Sequence, residues 1–319
     1  MNNRKLVIGS RGSELALWQA NSIKAEFENR HPGLQIEIVV IKTTGDKILD
    51  SPLSKIGDKG LFTREIERAL LEERIDAAVH SLKDLPTELT DGLTIGAITK
   101  REDVRDVFIS HPGKSYRKVD DILPGGTIAT GSLRRKCQLL RWRPGIKVVD
   151  LRGNLNTRFT KLDESDWDGM ILARAGVVRL GLQNRITEIL STEQILPAVG
   201  QGALAVEIRS GDASTHKLVQ GLASEAATIS TKGERALLRF LEGGCQVPIG
   251  AYGRIEHNEF HLDAMIGSLD GKKIVRGKIH GDPEQSEELG KQLAQTLYDS
   301  GGKEILDGIR NVLGEKQTT

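Results

Sequence analysis

Between Thr130 and Thr160 the chain sets eight basic residues (Arg134, Arg135, Lys136, Arg141, Arg143, Lys147, Arg152 and Arg158) against one acid, Asp150. Six of the eight are arginine, whose guanidinium stays charged at physiological pH and grips a carboxylate or phosphate with a planar fork. The formal net charge of the whole chain is only +1, so this density is a local patch suited to an anionic ligand. Arg134 and Arg135 follow Ser132 in the first turn of an expected helix, where the helix N-terminus also attracts an anion. Arg152 and Arg158 flank Gly153-Asn154 at the end of an expected strand, and Arg11 sits in a matching turn near the start of the chain. Arg141 and Arg143 lie late in their helix beside Pro144-Gly145 and are expected to serve its C-terminus. A solvated basic face is the ordinary alternative for a charge run. Placement in strand-end turns, not on the polar faces of helices, argues against it here.

Two further residue types could do chemistry. Asp84 follows Lys83 in the strand-end turn Ser81-Leu82-Lys83-Asp84-Leu85-Pro86 and is a candidate acid/base. The competing reading is an Asp that stabilises the turn by a local hydrogen bond. Cys245 follows Gly243-Gly244 and precedes Pro248, which places its thiol on a loop, although burial is the commonest state of a cysteine. Cys137 is flanked by Leu139 and Leu140 on an expected helix and suits a core position better. The seven histidines have no metal-ligand spacing, and no metal site is expected. His80 reads as a strand-end residue, not as part of a triad, and no Walker loop or GxGxxG precedes a helix.

The elements that must position these residues alternate strand and helix. Lys5 to Gly9 reads as a strand, Ser13 as the cap of a helix with Ala16, Ala20, Ile23 and Phe27 on its apolar face, and Ile36 to Ile41 as the next strand. Thr43 to Lys59 reads as a long polar loop, followed by a helix through Phe62, Ile66, Ala69 and Leu70 and a strand from Asp76 to His80. This pattern predicts a mainly parallel sheet covered by helices. A second α/β unit has expected strands at Val107–Ser110, Thr127–Thr130, Lys147–Leu151 and Gly169–Ala173. Its core repeats the first: strand, polar turn with a Ser cap, helix, β-branched strand. The polar turns then fall at strand C-termini and helix N-termini, where open sheets bind anions. Ile195 to Ile208 reads as a strand-like crossing. A helix from Ser224 to about Leu241, three antiparallel strands and two closing helices predict a small α+β region.

The chain has 319 residues, 38% hydrophobic and 28% charged, enough for two or three ordinary cores. The start MNNRKLVIGS lacks a signal-peptide apolar region, and no run of about 18 apolar residues occurs. A cytoplasmic protein with free thiols and no membrane partner is expected. Near-zero net charge and 4% aromatic residues argue against a nucleic-acid partner.

Taken in order, Ile8-Gly9-Ser10-Arg11-Gly12-Ser13, Lys59-Gly60-Leu61-Phe62, His80-Ser81-Leu82-Lys83-Asp84-Leu85-Pro86, Gly131-Ser132-Leu133-Arg134-Arg135, Leu151-Arg152-Gly153-Asn154, Ala198-Val199-Gly200-Gln201-Gly202 and Gly243-Gly244-Cys245 closely resemble the porphobilinogen deaminase (hydroxymethylbilane synthase) family. The resemblance implies an α/β fold of two periplasmic-binding-protein-like (type II) lobes around a cleft, plus a small α+β C-terminal domain. The expected domains are 1–100 with 199–220, 101–198 and 221–319. It implies a transferase of tetrapyrrole biosynthesis, monomeric, with porphobilinogen as substrate. Its cofactor would be a dipyrromethane held by a thioether to Cys245. Asp84 would be catalytic. Arg11, Ser13, Lys55, Lys59, Ser81, Lys83, Thr130, Ser132, Arg134, Arg135, Arg152, Asn154, Arg158, Arg179 and Gln201 would bind cofactor and substrate. Every pyrrole carries an acetate and a propionate, charge that cannot be desolvated without cations. The loop Thr43 to Lys59 would act as a lid, with Lys55 and Lys59 reaching across.

Three rival readings make different predictions. A small-anion binding protein predicts reversible binding and no use for Cys245. A nucleic-acid-binding protein predicts salt-dependent binding to any duplex. A cysteine hydrolase lacks an evident His partner. If Asp84 is the acid/base, Asp84→Asn still binds substrate or loads the cofactor but loses most turnover. Near-normal rates of porphobilinogen consumption would remove Asp84 from catalysis.

Overall fold

The computed structural model describes residues 5–47, 60–241 and 247–315. The described residues divide into two compact units, one of 5–47, 60–102 and 200–228, the other of 103–199, 229–241 and 247–315.

In the first unit β1 (Lys5–Ser10), α1 (Glu14–Arg30), β2 (Gln35–Val40), α2 (Arg64–Leu71), β3 (Ala77–Ser81) and β4 (Leu93–Ile98) are followed, much later in the chain, by β10 (Leu204–Arg209) and α6 (Ala213–Gln220). Their sheet has the order β2-β1-β3-β10-β4. β1 is parallel to β2 and β3, whereas β10 is antiparallel to both of its neighbours. Apolar residues cover both faces, Leu6, Ile8, Ile23 and Phe27 in one layer and Ile66, Leu70 and Ile75 in the other.

The second unit holds β5 (Asp106–Ser110), β6 (Thr127–Ala129), α3 (Leu133–Trp142), β7 (Lys147–Val149), α4 (Leu155–Asp163), β8 (Gly169–Ala173), α5 (Arg174–Arg179) and β9 (Glu188–Ile189). The sheet order is β7-β6-β8-β5-β9, with β5 antiparallel to β8 and β9. Strand for strand this reproduces the first sheet. In each, the antiparallel fourth strand is the one whose chain arrives from the other sheet, the arrangement of a type II lobe. The expected fold class holds, and the repeat seen in the sequence is architectural. The sheets are mainly parallel, as expected, with one strand in each reversed (β10 and β5); period and composition do not encode the direction of a strand that comes back from a distant segment.

After α7 (Glu225–Phe240), the same unit continues as β11 (Ile249–Glu256), β12 (Glu259–Gly267) and β13 (Ile274–Gly281), an antiparallel sheet in that order. α8 (Ser286–Leu297) covers it and bends through Ser300 and Gly301 into α9 (Lys303–Glu315). Phe260, Leu262, Leu293 and Leu297 belong to this core.

Several boundaries differ from the expected ones. The crossing strand starts at Leu204, because Ile195 and Leu196 are buried in the second unit. Helices α4, α5 and α6 and strands β4 and β9 were not foreseen. Asn154, read as part of a turn, is the N-cap that starts α4, its Oδ1 accepting from Thr157 N at 2.9 Å. Of the expected lid, Thr43 is buried and Thr44–Lys47 form one helical turn; residues 48–59 lie outside the described residues.

The turn before β10 depends on Gly202, whose φ of +93° is one that L side chains rarely adopt. A Cβ there would lie 2.5 Å from the Glu102 carbonyl oxygen. Gly202→Ala is therefore expected to destabilise the protein by about 1–3 kcal/mol, read as a lower denaturant midpoint with unchanged slope.

Candidate active site

In both sheets the candidate residues gather at one edge, the C-terminal ends of the parallel strands. Open α/β sheets bind ligands there, since loops leave and helices begin at that edge. In the first unit, β1 delivers Arg11 and Ser13. The Ser13 hydroxyl accepts from Ala16 N at 3.3 Å and so caps α1. The Arg11 guanidinium lies 4.2 Å from the ring centroid of Phe62, a cation–π contact that orients it from the side of α2. β3 delivers Ser81, whose hydroxyl accepts from Gln19 Nε2 at 2.9 Å. A single 3₁₀ turn then carries Lys83 and Asp84, both exposed, between buried Leu82 and Leu85. The turn is clamped from inside: Leu82 N donates to Ala203 O at 3.0 Å. The segment before β10 thus brings Gln201, buried at 1% exposure, to the same edge, where its carbonyl accepts from Arg101 Nε at 2.8 Å.

One layer inward, His80 Nε2 lies 3.1 Å from Glu207 Oε2, both side chains buried. His80 is the strand-end residue the sequence suggested.

In the second unit, β6 runs into Thr130, whose hydroxyl accepts from Ser132 N at 3.4 Å. Ser132 in turn caps α3, its hydroxyl accepting from Arg135 N at 3.4 Å. Arg134 and Arg135 occupy the first turn of α3, as expected, but both are buried. Between them lies Asp106, fully buried at the start of β5. Its Oδ2 accepts from Arg134 Nη2 and its Oδ1 from Arg135 Nη2, each at 2.9 Å. Arg134 also donates to Leu196 O, and Arg135 Nη1 donates to Ile171 O at 3.3 Å. Burial above all, together with the neighbouring Arg135 charge, pulls the Arg134 guanidinium below its ordinary range, and Asp106 opposes that shift. The Nε atoms of Arg134 and Arg135 are buried without an acceptor among the described residues.

A second pairing flanks the first. Asp103 accepts from Arg105 through both carboxylate oxygens and lies 3.5 Å from Arg174. Burial raises the Asp103 pKa, but the hydrogen bonds and charge of Arg105 and Arg174 outweigh it and hold the carboxyl below the usual range.

Arg152 stands 4.0 Å from Asp150, and Arg158 donates from Nε to Gly153 O at 2.9 Å, so both stay beside the turn that opens α4. Arg179 is the last residue of α5 and is buried. Arg143 does not serve its own helix end. Its guanidinium donates to Val119 O and Ile122 O of a preceding turn and pairs with Asp120.

Cys137 is fully buried against Leu196 and Met265, and burial, followed by the Asp270 charge, pushes its thiol up to about 12. A thiol so rarely ionised is a poor nucleophile. Cys245, Lys55 and Lys59 lie outside the described residues.

Asp106, Asp103 and Gln19 escaped the sequence reading. Asp106 sits in the run Arg101-Glu102-Asp103-Val104-Arg105-Asp106, whose mixed charge reads as a surface loop. Only the pairing of β5 with β8 shows that it ends beneath the arginines.

Type II sheet order, arginines at the strand ends and an exposed carboxylate define a two-lobed α/β protein whose strand ends carry charged groups. Residues 6–217 match the family model of the porphobilinogen deaminase dipyromethane cofactor binding domain, and residues 228–299 that of the porphobilinogen deaminase C-terminal domain. The chain belongs to the porphobilinogen deaminase family. It is 52% identical over 311 residues to the porphobilinogen deaminase of Chlorobium phaeobacteroides, covering 96% of this chain and 98% of that one. It is 48% identical over 312 residues to that of Carboxydothermus hydrogenoformans, covering 98% and 99%. Among solved structures, the methionine binding protein MetQ overlays 68% of this chain and 89% of its own at 15% identity and a TM-score of 0.43.

Asp106→Asn would leave two buried guanidinium groups facing a neutral amide. Breaking a buried ion pair from one side costs about 3–5 kcal/mol. A loss of that order in unfolding free energy is expected, measured by denaturant titration.

Proposed function

We propose that the chain condenses four porphobilinogen molecules head to tail onto a dipyrromethane primer, with loss of one ammonia at each addition, and releases hydroxymethylbilane by hydrolysis. The observation that carries this reading is the pair of family models that match in order from residue 6 to residue 299. In this reading the protein is a transferase of porphyrin and heme biosynthesis. It is cytoplasmic and monomeric, and it acts without nucleic acid or membrane. Among the described residues no helix is long and apolar enough to cross a membrane. The proposed domains are 1–100 with 199–220, 101–198 and 221–319.

The primer is assigned to Cys245 as a thioether. Cys137, the other cysteine, is disfavoured by its burial and raised pKa. The cofactor's chemistry suits the donor set: its carboxylates match Arg134 and Arg135, whose buried Nε–H groups lack an acceptor among the described residues. When bound, the dipyrromethane supplies the free pyrrole carbon to which the first substrate is joined. Arg11, Arg134, Arg135, Arg152, Arg158 and Arg179, with Lys55, Lys59 and Lys83, offset the acetate and propionate charges of the pyrroles. Ser13, Ser81, Thr130, Ser132, Asn154 and Gln201 shape the turns that hold these cations.

Asp84 is assigned the proton work. Its carboxylate accepts from the pyrrole N–H of the substrate as that ring gains positive charge. It also helps protonate the departing amine and takes up the ring proton released on coupling. Exposure on a turn pinned by buried Leu82 and Leu85 suits a group that must meet each new substrate in a fixed position.

The intact mass of the purified protein, wild type beside Cys245→Ser, tests the assignment. A wild-type excess equal to two porphobilinogen units less two ammonia, absent from the variant, is the expected result. A bare wild-type chain that gains no adduct and releases no ammonia when porphobilinogen is added would favour the anion-binding protein instead.

A further inference from the structure

Gln138 lies one turn beyond Arg134 on α3 and is buried at 2% exposure. A side-chain amide has two donor hydrogens and two acceptor lone pairs, and here all four are used. Nε2 donates to Leu196 O at 3.1 Å and to Arg134 O at 3.3 Å. Oε1 accepts from Leu196 N at 2.9 Å and from Arg276 Nη2 at 3.0 Å. Gln138 therefore grips both polar groups of one residue, Leu196, whose carbonyl also receives Arg134.

Arg276 belongs to β13, and its other terminal nitrogen donates to Glu193 O at 3.0 Å. Through β12, β13 pairs with β11, which begins four residues after Cys245. β11 is tied to the same crossing segment, since Ala251 N donates to Pro197 O at 3.0 Å. One hydrogen-bonded path thus runs from the Arg134 guanidinium through Leu196 and Gln138 to the sheet that follows the cofactor thiol in the chain. Around it the packing leaves no slack: a Cβ on Gly267 of β12 would lie 2.1 Å from Cys137 Sγ, and one on Gly271 would lie 2.4 Å from Cys137 O.

We propose that Gln138 is a positioning residue that fixes the Arg134 guanidinium relative to the C-terminal sheet, so that the cation meets the carboxylates of a pyrrole chain anchored beyond α7. The proposal rests on the assignment of Arg134 to cofactor and substrate carboxylates made above. A buried amide with every valence satisfied holds one geometry, because each alternative strands a polar group in a low-dielectric interior. An apolar residue of the same volume would keep the packing and release that geometry.

The test compares Gln138→Met, Arg276→Met and the double variant with wild type. Each is made as the full chain in cells that lack porphobilinogen. Porphobilinogen is then added, the gain of the two-unit adduct is followed by intact mass, and steady-state kinetics are measured after loading. Gln138→Met is expected to slow adduct gain and to lower kcat by roughly tenfold, with KM for porphobilinogen within about twofold, since a small misplacement of an orienting group acts on the reacting geometry. Arg276→Met is expected to show a smaller loss of the same kind, and the double variant to be no worse than Gln138→Met, because both act through one path. Normal loading and normal kcat per folded molecule, with only a lower denaturant midpoint, would reduce Gln138 to a packing role and overturn the proposal. If Gln138→Met does not fold, Arg276→Met decides alone, and normal loading overturns the proposal. Arg134→Leu, run alongside, separates the two readings. If it loads and turns over normally, the assignment of Arg134 fails, whereas an impaired Arg134→Leu beside a normal Gln138→Met removes the positioning role only.

Discussion

Two guanidinium groups cannot be taken out of water side by side unless something answers their charge. Asp106 does this for Arg134 and Arg135, with one carboxylate oxygen for each and the carbonyls of Leu196 and Ile171 behind. The first turn of α3, the start of β5 and the crossing segment at Leu196 are held to one another by this arrangement. It also leaves the trio with more positive than negative charge, which suits a site for carboxylates. Much of the second unit's architecture follows from that requirement. β5 must lie next to β8 so that its first residue reaches the edge where α3 begins, and the antiparallel pairing Asp106↔Ala173 puts it there.

The same edge is used differently in the two units. In the second it presents buried cations locked by internal acceptors. In the first it presents an exposed carboxylate on a short turn, whose neighbours Leu82 and Leu85 are sunk into the core. A group that only neutralises charge can be held permanently by protein partners. A group that gives and takes protons, the role proposed for Asp84, must stay open to whatever arrives, and needs rigidity beneath it instead. Leu82 N bound to Ala203 O, and the tight approach of Gly200 to Leu82, supply that rigidity.

The basic run shows how far residue types reach and where they stop. Its arginines stood out in the sequence because six of them crowd into one segment and four fall in strand-end turns. Their burial did not, since sequence offers Arg134 and Arg135 no visible counter-charge nearer than Asp121 on one side and Asp150 on the other. Arg143 was misassigned for a related reason. Its position at a helix end suggests its own carbonyls, but the backbone folds a preceding turn back onto it. Cys137 was read correctly, because flanking leucines on a helix are a local signal.

Local pattern determined most of the element types, the serine caps of α1 and α3, the repeated lobe, the antiparallel C-terminal strands and the motif set that names the family. All of these depend on neighbours within a few residues or on the order of short segments. Tertiary structure alone decided which strand returns antiparallel to complete each sheet, that Asp106 lies beneath two arginines twenty-eight and twenty-nine positions away, and that Gln138 joins α3 to β13. Pairings of that kind arise when distant segments are buried together, where a polar group must find a partner whatever its position in the chain.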